Sequence, residues 1–164
     1  MDAIFAIKNR RSVRKYSDKP IDKKILEDIV DCGRLAASAR NICPFEFILL
    51  TDKKIIKEIA EITDYGKFMK DAAAGIVVIC KETKYYLEDG CAATENILLA
   101  ATAYNIGSCW IAGDKKPYAD KILKRFNVPP EYKLISIISL GYPAEEITLP
   151  QKPALEKVIH YNKY

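Results

Sequence analysis

The chain alternates apolar stripes at helical spacing with short unbroken apolar runs, and the elements follow from that alternation. Over residues 1–9, Ile4, Phe5 and Ile7 mark one helical stripe. Asp22 is placed to cap a helix in which Ile25, Leu26, Ile29, Val30, Gly33 and Ala36/Ala37 recur on one side. After the turn-like Ser38–Asn41, the run from Phe45 to Leu50 reads as a strand. Asp52 caps a further helix carrying Ile55, Ile56, Ile59, Ala60 and Ile62. Residues 75–80 are apolar and mostly β-branched without a break, the pattern of a strand covered on both faces. Ser108–Ala112 is a short strand and Lys115–Phe126 a helix. Leu134–Leu140 is another strand, closed by Gly141-Tyr142-Pro143.

From about Asp89 to Ile106 the chain has almost no polar face. A helix apolar all round must be buried all round. A chain of this size has little room to enclose one, which points to a core helix that also meets a second subunit. The tail from Ala144 carries Pro150 and Pro153, then Leu155, Val158 and Ile159. An extended arm with apolar anchors of this kind clasps a partner. No internal repeat or linker interrupts the chain, so residues 1–164 are expected to form one α+β domain that dimerises.

Composition narrows the classes of function. Hydrophobic residues at 49% and charged residues at 29% exclude disordered and collagen-like chains. A net charge of +4, from 26 basic and 22 acidic residues, is too mild to name a partner, so the placement of the cations matters more than their number. No window approaches the roughly 18 apolar residues of a membrane span, and the first residues lack the order of a signal peptide. Five cysteines form no C-x-x-C pair, and His160 is the one histidine, so no metal site is expected. Free thiols fit a reducing cytoplasm.

The seven glycines provide neither G-x-G-x-x-G nor a P-loop, and no G-x-S-x-G elbow occurs. Hydrolase, kinase and metalloenzyme chemistry each lose their key groups, which leaves a bound cofactor or no chemistry at all. One segment is cationic enough to hold such a group: Arg10-Arg11-Ser12-Val13-Arg14-Lys15-Tyr16. In extended backbone, positions 10, 12 and 14 face one side, so two guanidinium forks and a hydroxyl can converge on one phosphate. A solvated basic edge and a nucleic-acid contact remain open on these residues alone. The lack of interleaved aromatics weighs against nucleic acid.

Read together with Ala37-Ser38-Ala39-Arg40-Asn41-Ile42-Cys43-Pro44-Phe45, Gly107–Gly113, the Leu140–Pro143 turn and the Pro153–Ile159 tail, this segment resembles the nitroreductase family of FMN-dependent oxidoreductases. The resemblance runs in order from about residue 4 to 160. It implies a nitroreductase-like α+β fold: a central, mostly antiparallel sheet flanked by helices, in a homodimer with an exchanged C-terminal arm. FMN would lie where the subunits meet. Carried over, Arg10, Arg11 and Ser12 would hold the phosphate or its neighbourhood, and Arg14 the pyrimidine edge. Ser38 and Asn41 would approach from the other subunit. Ala112 and Gly113 would place a backbone N–H near flavin N5, with Gly113 allowing close approach, and Lys152 is a further phosphate contact. A fixed cation at the pyrimidine edge stabilises the charge that reduction leaves there.

The implied activity is hydride transfer from NADH or NADPH, then reduction of a nitroaromatic, quinone or flavin by a ping-pong mechanism. Alternatives are a flavin-binding or storage protein, or a specialised flavin reductase or reductive dehalogenase on the same scaffold. Two positions depart from the family pattern: Ala37 stands in place of a proline and Cys43 in place of a glutamine.

Overall fold

The computed structural model describes residues 2–148 and 151–164, which leaves Pro150 of the predicted arm outside the described residues. The chain runs α1 (Ala3–Asn9), α2 (Lys23–Arg34), β1 (Phe45–Leu50), α3 (Lys53–Ile62), β2 (Ala74–Lys81), α4 (Tyr86–Ala103), β3 (Gly107–Ala112), α5 (Ala119–Arg125) and β4 (Tyr132–Gly141). Short 3-10 turns lie at Ala39–Asn41, Lys67–Asp71 and Leu155–Lys157. The strands pair antiparallel throughout, in the order β1-β2-β4-β3.

Alternation along the central strands divides the core in two. Ile76, Val78, Cys80, Ile138 and Leu140 pack towards α2 and α4. Val77, Ile79 and Ile137 pack towards α3 and α5. Both faces of β2 are therefore covered, which is why its sequence is an unbroken apolar run. Each isoleucine so buried contributes roughly 1.5–3 kcal/mol.

The aspartates cap as the sequence suggests. Asp22 accepts the Lys24 N–H and Asp52 the Lys54 N–H, each at 2.7 Å, an arrangement worth about 1 kcal/mol. Helix boundaries differ from expectation in three places. α2 ends at Arg34, which leaves Ala36 and Ala37 outside the helix predicted to contain them. α4 begins and ends three residues before the predicted 89–106. Its exit is set by Asn105 at φ 57° and by the Ile106 N–H bonding back to the Ala101 carbonyl at 2.9 Å. α5 begins at Ala119 rather than Lys115, because Lys115 is left-handed at φ 58° and Pro117 disfavours helical backbone at the residue before it.

Helix α4 lies close on the sheet because Gly90 lacks a side chain: a Cβ there would stand 2.6 Å from Ile135 and 2.9 Å from Cys80 Sγ. Ile135 itself is the unpaired residue of a bulge, since Val78 pairs with Ser136 and Ile79 with Leu134. Within one chain α4 is not buried on all sides. Ala93, Ile97, Leu98 and Ala101 are buried, whereas Cys91, Ala92, Leu99 and Ala100 are only half covered. The α1 stripe is also open, with Ile4, Phe5 and Ile7 exposed by 55, 50 and 55%. Leu155 and Val158 of the tail are exposed as well.

Candidate functional site

The basic segment is seated on the end of the sheet by two missing side chains. Gly107 and Gly141 are register partners on β3 and β4. A Cβ on Gly107 would stand 2.8 Å from Val13, and one on Gly141 2.6 Å from Tyr16. Val13 and Tyr16 fill the space that the glycines leave. The Val13 N–H bonds to the Ser108 carbonyl at 2.9 Å and the Ser17 N–H to that of Tyr142 at 2.9 Å. The Tyr16 hydroxyl donates to the Val13 carbonyl at 2.5 Å and accepts from Ser139 Oγ at 2.7 Å. Burial pushes this phenol far above its ordinary value. With Val13 and Tyr16 anchored inward, Ser12, Arg14 and Lys15 are left facing water.

These residues border a cavity of about 500 Å³ that brings together Arg10, Arg11, Ser12, Arg14 and Lys152, with Lys15, Glu145 and Glu146 on its rim. Arg10 Nε lies 3.4 Å from Glu95 of α4. Lys15 Nζ lies 2.8 Å from Glu145, a carboxylate partner that raises the ammonium pKa. Arg11 Nη1 donates to the Arg10 carbonyl at 2.5 Å, while its Nε is buried with no partner. Ser108 Oγ, on the strand beside Ser12, is likewise buried and unpartnered. A buried donor without an acceptor costs about 1–3 kcal/mol. Arg11, one of these two residues, lines the cationic cleft, and an unpartnered guanidinium donor suits a phosphate, which accepts at several oxygens.

A second cavity, of about 380 Å³, shares Arg14 and continues past Trp110 and Ala112. Ser12 bridges to Ser108 in parallel, so the basic segment and β3 advance together. From Ser108 to Ala112 the strand spans roughly 14 Å, enough for a phosphate at one end and a planar ring at the other. Beneath Ser12 and Arg14, burial raises the Cys109 pKa, an effect partly offset by those two neighbours.

Ala112 is exposed and lines the second cavity, and its carbonyl is fixed by the Tyr118 hydroxyl. Gly113 is required by its own chain: a Cβ there would stand 2.7 Å from Leu134 and 2.9 Å from the Ile135 carbonyl, so the β4 bulge alone demands glycine. Asp114 continues this packing, its N–H bonding to the Ile135 carbonyl at 3.3 Å.

Ser38 and Asn41 are not brought to the arginines of their own chain, and neither lines the cavities described above. They belong to a strained turn in which Arg40 and Asn41 have φ 56° and Cys43 φ 50°. Ser38 Oγ accepts the Cys43 N–H at 2.9 Å, and Cys43 Sγ lies 3.6 Å from Asn41 Oδ1. Asp89 of α4 supports this turn. Only 5% exposed, it accepts the Ala39 N–H at 2.8 Å, and its other oxygen is unpartnered. Sequence reasoning missed Asp89 as a turn support; the one signal was an acid, next to Glu88, at the start of an apolar helix. It also missed Gly107 and Gly141 as the seats of the basic segment. No group of three metal-ligating side chains occurs among the described residues. No described helix is long and apolar enough to cross a membrane.

The fold is a helix-flanked antiparallel sheet with a cationic cleft across one end. Comparison with known proteins gives the class a family. The family described as "Putative TM nitroreductase" matches residues 2–164. A protein of Archaeoglobus fulgidus named "Putative NADH dehydrogenase/NAD(P)H nitroreductase" is 38% identical over 152 residues, covering 88% of this chain and 87% of its own. An FMN-dependent nitroreductase from Clostridium difficile R20291 superposes with a TM-score of 0.92 at 32% identity, over 98% of this chain and 99% of its own. A nitroreductase from Bacteroides fragilis NCTC 9343, solved with bound FMN, gives 0.82 at 26% identity over 99% and 100%. The chain belongs to the nitroreductase family.

Proposed function

We propose that residues 1–164 form a single FMN-binding domain, that two copies bind FMN at their junction, and that the dimer is an NAD(P)H-dependent oxidoreductase. The observation that carries this reading is the convergence of Arg10, Arg11, Ser12, Arg14 and Lys152 on one cavity beside β3. FMN in the C. difficile and B. fragilis relatives supports the choice of ligand. When bound, FMN supplies the hydride and electron chemistry between NADH or NADPH and a second substrate.

The chain's own residues bind and orient. Arg10, Arg11, Ser12 and Lys152 hold the phosphate, and the buried Arg11 Nε gains the acceptor it lacks. Arg14 holds a positive charge at the pyrimidine edge, where it favours the reduced state. The 112–114 turn presents backbone to the ring, held from behind by Tyr118 and Ile135. Ser38 and Asn41 of the partner subunit complete the site. The exposed α1 stripe, the outer side of α4 and the C-terminal arm support that second copy. Donor and acceptor would enter the same cleft beside Arg14 and Ala112 in turn, which would give ping-pong kinetics with a nitroaromatic, quinone or flavin as acceptor. The free thiols suit a cytoplasmic protein.

Anaerobic titration of the FMN-loaded protein with NADPH and with NADH tests the reading. The oxidised-flavin absorbance is expected to bleach stoichiometrically with at least one of them, and to return on addition of a quinone or nitroaromatic. A flavin that stays oxidised through many equivalents of both sinks the enzyme reading in favour of storage. Protein that takes up no FMN sinks both.

A further inference from the structure

The turn over residues 38–43 is held in a shape that its own sequence resists. Arg40, Asn41 and Cys43 all have positive φ although none is glycine. Backbone strain of this kind persists only where surrounding groups fix it, and it gathers at functional sites. Two side chains do the fixing. Ser38 Oγ accepts the Cys43 N–H at 2.9 Å across the mouth of the turn. From α4, Asp89 accepts the Ala39 N–H at 2.8 Å. Glu88 beside it is exposed, whereas Asp89 is only 5% exposed. A carboxylate that deep is costly unless it is bonded. The Ala39 N–H offsets part of that cost, and the first turn of α4, whose free N–H groups favour negative charge, offsets more.

We infer that Asp89 is a positioning residue for FMN across the subunit junction: through the Ala39 N–H it fixes the turn that presents Ser38 and Asn41 to the flavin held by the other chain's arginines. The inference rests on the shared-FMN reading and deepens it by giving a role to the buried acid that this reading leaves unused. The turn does not serve its own chain's cleft, because Ser38 and Asn41 line neither of the cavities that Arg14 borders. The apolar residues at its two ends, Leu35 and Ile42, are 64 and 54% exposed, as expected of a turn that a second chain covers. Cys43 Sγ lies 3.6 Å from Asn41 Oδ1, which leaves the Asn41 amide nitrogen for the ligand. Asp89 touches no ligand in this arrangement. It supplies order that is in place before FMN arrives, so that binding does not have to create it.

The test uses the whole protein freed of FMN, with FMN affinity read by flavin fluorescence. Asp89→Ala leaves the Ala39 N–H without its acceptor and is expected to weaken FMN binding about 10-fold or more, with pairing of the chains and the far-ultraviolet circular dichroism retained. Asp89→Asn keeps an oxygen acceptor in the same place and should restore most of that loss. Asp89→Ser, one bond too short to reach Ala39, repeats the measurement with a smaller void. Mixed dimers then separate positioning across the junction from a structural role. A chain with Asp89→Ala is paired, through two affinity tags, with a chain carrying Arg10→Ala and Arg11→Ala. Action across the junction puts both defects on one site and leaves the other intact. The mixed dimer is then expected to bind one FMN as tightly as the unsubstituted protein, which neither parent dimer does. Two weakened sites with no intact one overturn the inference by confining the effect of Asp89 to its own chain. Unchanged FMN affinity in Asp89→Ala overturns it too, as does loss of pairing in both Asp89→Ala and Asp89→Ser, which makes the acid a folding residue only. Failure of the flavin reading looks different: the unsubstituted protein takes up no FMN, or takes it up as a single chain.

Discussion

The two faces of the sheet differ in who completes them. On the face under α3 and α5, Ile56, Ile59, Ala60, Met69, Ala72 and Ile122 are wholly enclosed by their own chain. On the face under α2 and α4 the inner layer is equally tight, but the next layer out is unfinished. The outer side of α4 is half open, and the α1 stripe lies in water. The first face answers to the stability of one chain. The second is the face on which the proposed second copy would sit, and the basic segment leads directly out of α1 on that side.

Substitutions can separate the two roles. The largest effect belongs to the closed face: Ile59→Ala should cost about 2–5 kcal/mol in denaturant unfolding. Next, Phe5→Asp combined with Ile7→Asp should leave the far-ultraviolet circular dichroism unchanged yet give monomers in sedimentation, with FMN affinity down on the order of 100-fold. A dimer that survives both charges breaks the comparison. Gly107→Val touches no arginine but fills the seat of Val13. At about 1–3 kcal/mol of overpacking it should weaken FMN binding roughly 10-fold, measured by flavin fluorescence.

Arg10→Ala and Arg14→Ala sharpen the division within the cleft. The first should weaken FMN binding about 10-fold. The second should mainly lower the flavin potential and slow its reduction, read by redox titration and rapid mixing. Equal effects of both substitutions on both quantities would remove the assigned roles. The last effect is one of pH, small at neutral pH and growing only above 9. Burial pushes the Cys80 thiol from 9.0 up to about 12. Between those values the folded chain keeps a proton that the unfolded chain releases, so stability falls as pH rises, by at most about 1.4 kcal/mol per unit. Cys80→Ala should flatten that part of the stability curve.

How much could be read beforehand depends on how local each cause is. The four strands and the Asp22 and Asp52 caps were legible because an apolar run or a cap is decided within a few residues. The late start of α5 was not, since it turns on the left-handed backbone at Lys115. The alternation of Arg10, Ser12 and Arg14 was legible as a cationic edge, but its seat, a pair of glycines opposite each other on β3 and β4, requires the strand register. Asp89 bonds to Ala39 fifty residues away, and no spacing rule reaches that far. That the glycine at 113 is also needed by the Ile135 bulge shows only in the fold.

The bridge between Ser12 and Ser108 has one more consequence. β3 is the last strand of the sheet, and a bare last strand is a template on which other chains can polymerise. Residues 12 and 13 occupy that margin. The stretch proposed to hold the cofactor thus also covers a sheet edge that could otherwise pair with other chains, and trimming it is expected to produce insoluble material before it produces an inactive enzyme.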